Sequence, residues 1–199
     1  TMAINLSPEQ ELQWVKEGRV LQTAHGALTT PAAFETDLVV TTPDLVLVVP
    51  AGTVVVPLRI TVETEATGAA VFQVLIRTAD NDVGVANSTE VYAVNVNTRY
   101  ATVRGKCRAA ITSTGAKTTP TNSADLFRVY VQPDIDAITG SATFEQVVYA
   151  PLQGRGIPAV VGGNGATHSL IVMVGNGTSG TGYIEAVWAE FTYDEFYAA

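Results

Sequence analysis

From residue 19 onward the apolar residues recur with a period of two, and clusters of Gly, Pro, Asn and Asp cut that pattern into short pieces. The pieces predict strands over 19–24, 45–49, 53–63, 70–78, 90–97, 102–112, 126–132, 143–150, 169–174 and 183–193. β-branched and aromatic residues fill them, as a pleated half-buried surface requires. No helical segment alternates with the strands, which argues against a parallel α/β sheet. No repeat of the length used by propellers or solenoids is present. About ten strands with two-sheet patterning fit an all-β, antiparallel two-sheet jelly-roll sandwich better than an open sheet.

The one helical signal precedes the strands. Ser7 can cap, Pro8 suits the first helical position, Glu9 and Gln10 favour the first turn, and Gly18 ends the segment. Leu12, Trp14 and Val15 form its apolar stripe. A helix this short is marginal alone and must dock on something. The chain therefore divides into an N-terminal helical arm, 1–18, and a sandwich domain, 19–199.

Two strands carry directional information. In VFQVLIRT, Phe72, Val74 and Ile76 share an apolar face. In GYIEAVWAEFTY, Ile184, Ala186, Trp188 and Glu190 lie on one face, with Glu185, Val187, Ala189 and Phe191 on the other. Neither face is cleanly polar, so this strand is expected to touch the core on one side and a partner on the other.

Charge narrows the function. Only 15% of the 199 residues are charged, against about 25% in an ordinary soluble domain. The net charge of −8, and the single basic residue Lys16 within the first eighteen, disfavour direct nucleic-acid binding. No run reaches the roughly 18 apolar residues of a membrane helix; the nearest, VLVVPAGTVVVPL, is interrupted by Pro50, Gly52 and Pro57. The start, TMAINLSPEQ, lacks the pattern of a secretory leader. The chain reads as soluble, with no membrane partner.

Residues 99–108, RYATVRGKCR, hold four of the eleven basic residues and the only cysteine. Strand alternation puts Arg104, Lys106 and Arg108 on one side and Val103, Cys107 and Ala109 on the other. Cys107 thus reads as a small core hydrophobe whose thiol burial makes less acidic, the opposite of what a nucleophile needs. The basic row has three readings: an edge strand guarded by charge, a contact stripe for acidic residues such as Glu185, Glu190, Asp194 or Glu195, and a nucleic-acid contact.

Other features read as structural. Asp80-Asn81-Asp82 and Asp134-Ile135-Asp136 invite a calcium site, but neither continues into the Gly and Glu of an EF-hand loop, and a turn is the simpler reading. His25 and His168 are too few for a metal centre without a third ligand. No hydrolase, metalloprotease or nucleotide fingerprint is present. VVGGNGATH and VGNGTSGTGY have the glycine content of phosphate loops without the GK[ST] ending. The stretch 175–182 is expected to be a long hairpin loop. Asn5, Asn87 and Asn176 begin sequons of the kind chance supplies. Glu185 and Glu190 are an odd number apart, so they do not form the carboxylate pair of a glycosidase on a regular strand.

The succession DLVLVVPAGTVVVPLRITVE, GAAVFQVLIRT and GTGYIEAVWAEFTY resembles single jelly-roll structural proteins of viruses and bacteriophages, including capsid, decoration and spike components. The resemblance implies a virion structural protein, not an enzyme, working by self-assembly in the host cytoplasm and by contact with copies of itself and other virion proteins. It implies no cofactor and no metal. The expected interface residues are Trp14, reaching to a neighbour, with Arg104, Lys106, Arg108, Glu185, Glu190 and Phe196. The rival expectation is a carbohydrate- or receptor-binding sandwich in which exposed Trp and Tyr meet a host-surface glycan.

Overall fold

The computed structural model describes residues 7–27, 29–35, 38, 42–66, 72–83, 88–101, 105–112, 118–131, 143–175 and 180–197. A first helix, α1 (Pro8–Lys16), precedes β1 (Val20–His25), β2 (Ala32–Ala33), β3 (Leu45–Val49), β4 (Thr53–Ala66) and β5 (Phe72–Ala79). Then come β6 (Ser88–Val91), β7 (Val94–Asn95), β8 (Arg108–Thr112), β9 (Ala124–Val131) and β10 (Thr143–Tyr149). The chain continues through β11 (Val161–Gly163), β12 (His168–Gly175), β13 (Thr181–Thr192) and a short helix, α2 (Tyr193–Tyr197).

The strands form two antiparallel sheets. The larger runs β10-β4-β13-β1-β7, with β11 beside β4 and β2 beside β13; the smaller runs β6-β8-β3-β12-β5-β9. If β2, β6, β7, β8 and β11, which lie at the sheet margins, are set aside, eight remain. Counted in chain order, they are arranged first-eighth-third-sixth in one sheet and second-seventh-fourth-fifth in the other. That is the strand order of a jelly roll, two interlocked Greek keys. The fold is the sandwich that the alternation predicts.

Burial follows the alternation. Phe72, Val74 and Ile76 of β5 point into the core between the sheets, with Leu45, Leu47 and Val49 of β3, Leu170, Val172 and Val174 of β12, and Ile184, Ala186 and Trp188 of β13. The outward face of the smaller sheet is also apolar: Leu75, Ile171 and Met173 are buried there beneath Leu38 and Val83. β3 is buried along its whole length, which explains why LVLVV shows no alternation.

Pro57 lies within β4, where a proline removes a ladder hydrogen bond. The strand accommodates it with a bulge: Val187 pairs with Arg59 and Trp188 with Pro57, leaving Leu58 as the extra residue. On the other edge of β4, β11 pairs with 53–55 and β10 begins at Ile60, so no strand asks for the missing donor.

Three local readings are corrected. The stretch 90–97 is not one strand. It turns a corner at Tyr92 and Ala93, with β6 on the edge of one sheet and β7 on the edge of the other. The stretch 175–182 is not a hairpin, because β12 and β13 belong to different sheets and the connection crosses between them. Of the strand expected over 102–112, residues 105–107 stand outside the ladder and β8 begins at Arg108, while 102–104 lie outside the described residues.

The helix forms where its signals place it. Ser7 Oγ accepts from the Gln10 N–H at 3.3 Å, Pro8 occupies the first turn, and Gly18 leaves the helix at φ +74°. It is not an arm reaching away. Trp14 is 5% exposed and packs with Val20, Val56, Leu58, Val187 and Ala189 on the outer face of the larger sheet. The stripe is one residue different from the one expected, since Leu12 is 54% exposed. Trp14→Ala should therefore cost about 3–5 kcal/mol in urea unfolding, as for a large buried aromatic. Leu12→Ser should stay within about 0.5 kcal/mol.

Candidate functional site

A cluster of charged and aromatic side chains gathers at one corner of the sandwich. There the C-terminal end of α1, the start of β1, the end of β13, α2 and residues 105–107 meet around an open groove of about 340 Å³. Arg19 occupies its middle. Its Nε donates to Glu17 Oε2 and its Nη2 to Glu195 Oε1, both at 2.6 Å. The guanidinium also lies 5.0 Å from the centroid of the Phe191 ring. The hydrogen bond and charge of Arg19, then the bonds from the Thr192 N–H and hydroxyl, outweigh burial and hold the Glu195 carboxyl down at about 2. Gln13 and Arg19 lower Glu17.

Below the guanidinium is an aromatic stack. The Trp14 and Phe191 rings meet edge to face at 5.2 Å, and Phe196 of α2 lies 5.3 Å beyond Phe191. Phe191 and Phe196 complete the apolar layer around Trp14. The outer face of β13, expected to meet a partner, is covered from Val187 to Phe191 by α1 and α2 of its own chain.

Glu190 is on the opposite face of β13 from Glu185, as their spacing requires. Its Oε1 accepts from the Lys106 N–H at 2.5 Å and its Oε2 from the Cys107 N–H at 3.3 Å. The carboxylate thus takes the place of a strand partner for the two residues before β8 begins. Gly105 permits the approach, because a Cβ there would stand 2.3 Å from Leu21 Cδ1 and 2.4 Å from Glu190 Oε2.

The expected alternation survives at 106–109: Lys106 and Arg108 are exposed, Cys107 and Ala109 buried. Burial, then the charge of Glu190, pushes the Cys107 thiol well up. That is the environment of a packing residue. β6 lies outside β8 at 109–112, so β8 is not an edge strand there; of the basic row Arg108 is in β8 next to that pairing, and Lys106 precedes the strand. The acidic-contact reading is met only through backbone, by Glu190. Among the described residues, Lys106 and Arg108 form no ion pair.

The remaining candidates are dispersed. Glu185 is on the outer face of the larger sheet, bridged to Arg59 at 2.5 Å and accepting from Gln22 Nε2 at 3.1 Å. Arg104, Asp134-Ile135-Asp136 and the sequons at Asn5, Asn87 and Asn176 lie outside the described residues. Asp80 accepts from Thr121 Oγ1 and Asn122 Nδ2. Asn81 accepts from the Thr121 N–H and donates to Thr119 O. This acid-rich turn ties the end of β5 to the approach to β9. His25 and His168 sit in different sheets, and burial lowers His25 to about 4, keeping it neutral at ordinary pH.

Two features were missed in the sequence. One is the Arg19 clasp, whose partners are 2 and 176 residues away; an arginine between a helix and a strand gives no hint of it. The other is Asp44, a buried acid directly ahead of a fully apolar strand. The juxtaposition of acid and apolar run was visible, but its meaning was not.

The corner holds the fold's first and last described elements together, and within it Thr192 Oγ1 donates to Glu195 Oε2 at 3.3 Å. No family model matches the chain, and neither a curated protein nor a solved structure matches it.

Glu190→Ala should leave the Lys106 and Cys107 amides unpartnered and cost about 1–3 kcal/mol of stability. In the native protein Cys107 should resist an aromatic disulfide reagent until denaturant unfolds the chain, and Glu190→Ala should speed its labelling. A double-mutant cycle on Arg19 and Glu195, both partly exposed, should give a coupling of about 0.2–1 kcal/mol.

Proposed function

We propose that this chain is a virion structural protein, a bacteriophage-type capsid or capsid-decorating subunit, whose work is packing against copies of itself and against other shell proteins. The observation that carries this reading is where the jelly roll leaves its apolar side chains exposed. On one lateral edge, β6 and β7, are Tyr92 at 65% and Val94 at 57% exposure. On the opposite edge are Tyr130 of β9, Ile157, whose N–H bonds back to Leu126 of β9, and Val160. Both broad outer faces bury apolar residues within the chain itself. A block with covered faces and apolar edges suits lateral contacts with neighbours on two sides. Sparse charge on the chain supports the same reading.

The glycan-binding rival draws no support from the tryptophans. Trp188 is 1% exposed and Trp14 5%, so neither offers a sugar platform.

Light scattering coupled to size exclusion, over a wide concentration range, tests the proposal. Trimers, pentamers or larger particles that dissociate when Val94 and Ile157 are both changed to Glu would support it. A strict monomer at every concentration, with the double variant indistinguishable from the parent, would overturn self-assembly of the chain.

A further inference from the structure

We propose that Asp44 is a proton-operated clamp: ionised, it ties Glu35, two residues past β2, to Val174 near the end of β12, and protonated, it lets one of the two go. The geometry is that of a carboxylate used as a backbone bracket. Asp44 is 3% exposed and sits directly before β3, its own N–H bonded to Val172 O at 3.0 Å. Its Oδ1 accepts from the Glu35 N–H at 3.0 Å and its Oδ2 from the Val174 N–H at 2.6 Å. These two amides are far apart in sequence, one in the connection from β2 to β3 and the other near the end of strand β12. The bracket extends one residue further, because the Phe34 N–H donates to Gly180 O at 2.8 Å and the Phe34 ring fills the core.

An ionised carboxylate accepts on both oxygens, so both amides are satisfied. Adding a proton turns one oxygen into a hydroxyl, which accepts poorly and needs an acceptor for its own hydrogen. One amide must then give up its partner. Among the described residues no cation is seen to act on Asp44 against protonation. Among the described residues the charged group acting on Asp44 is the half-buried Glu35 carboxylate, of like sign. The neighbouring strands contribute Val172, Val174, Val74 and Gln73, none of which titrates. Burial, aided by Glu35, outweighs the pull of the two amides and raises Asp44 to about 7.

The sign for global stability is fixed by the same values. Asp44 binds a proton more readily folded than unfolded, so its contribution to stability is full below about 4 and declines as pH rises to about 7. His25, lowered to about 4, works in the opposite direction between about 4 and 6.5. Local observation of the two amides is therefore the cleaner test.

The full chain, labelled with ¹⁵N, would be titrated from pH 4 to 8.5 while the Glu35 and Val174 amide resonances and their hydrogen exchange are followed. The expected result is that both resonances shift with one shared midpoint near 7. Below it, exchange of at least one amide, corrected for intrinsic rate, should be at least ten-fold faster. Glu35→Gln, which leaves the carboxylate of Asp44 in place, should lower that midpoint. Asp44→Asn, if folded, should abolish both transitions. Midpoints at or below 4.5, separate midpoints for the two amides, or no change across the range would overturn the proposal. The wild-type titration decides even if Asp44→Asn does not fold.

Discussion

The burial of β13 on both faces is the constraint on which the rest depends. The strand pairs along one edge with β1 and along the other with the whole length of β4 from Thr53 to Glu65. Ile184, Ala186 and Trp188 fill the core on its inner side, and Val187 and Ala189 lie under Trp14 on its outer side. An apolar side chain fully removed from water contributes about 1.5–3 kcal/mol, so a strand with this many is more than a seventh part of its sheet. It follows that α1 must be docked. Without Trp14, the outer residues of β13 and β4 would face water.

The polar groups of the interior are used to hold backbone. Glu190 takes the two amides that precede β8, Asp44 takes one amide from the connection ahead of β3 and one near the end of β12, and Ser169 accepts from Val83 while donating to Asn81 O. Each satisfies amides that no ladder reaches, and an unpartnered buried amide is costly. In a chain with so few charges, acids positioned this way serve the fold at the places where the sheets hand over to connections.

Much of this was legible in the residues. The helix cap at Ser7 and the inward row of Phe72, Val74 and Ile76 follow from local chemistry and a period of two, and both are where those rules put them. The buried side of Cys107 was equally readable, even though Cys107 lies just before β8 and not within it. What could not be read was which sheet each strand joins. The 90–97 pattern looks continuous because both of its halves alternate, and nothing local marks the corner at Tyr92 and Ala93. The glycine-rich 175–182 stretch looks like a hairpin because sequence gives its flexibility and not its destination. The second face of β13 invited a partner from outside because a helix of nine residues does not announce what it docks on. The candidate interface residues were the least legible: Trp14 and Phe196 are apolar and turned out to be packed against their own sheet, while Glu190 is charged and turned out to brace backbone.

The most direct test of this account is native-state hydrogen exchange of the β13 amides, measured against the global free energy of unfolding. If β13 is the keystone, the amides of Ile184 to Ala189 exchange only through global unfolding, and their protection falls in step with global stability when Trp14 is replaced by Ala. Exchange of those amides through local openings well below the global free energy, unaffected by that replacement, would contradict it.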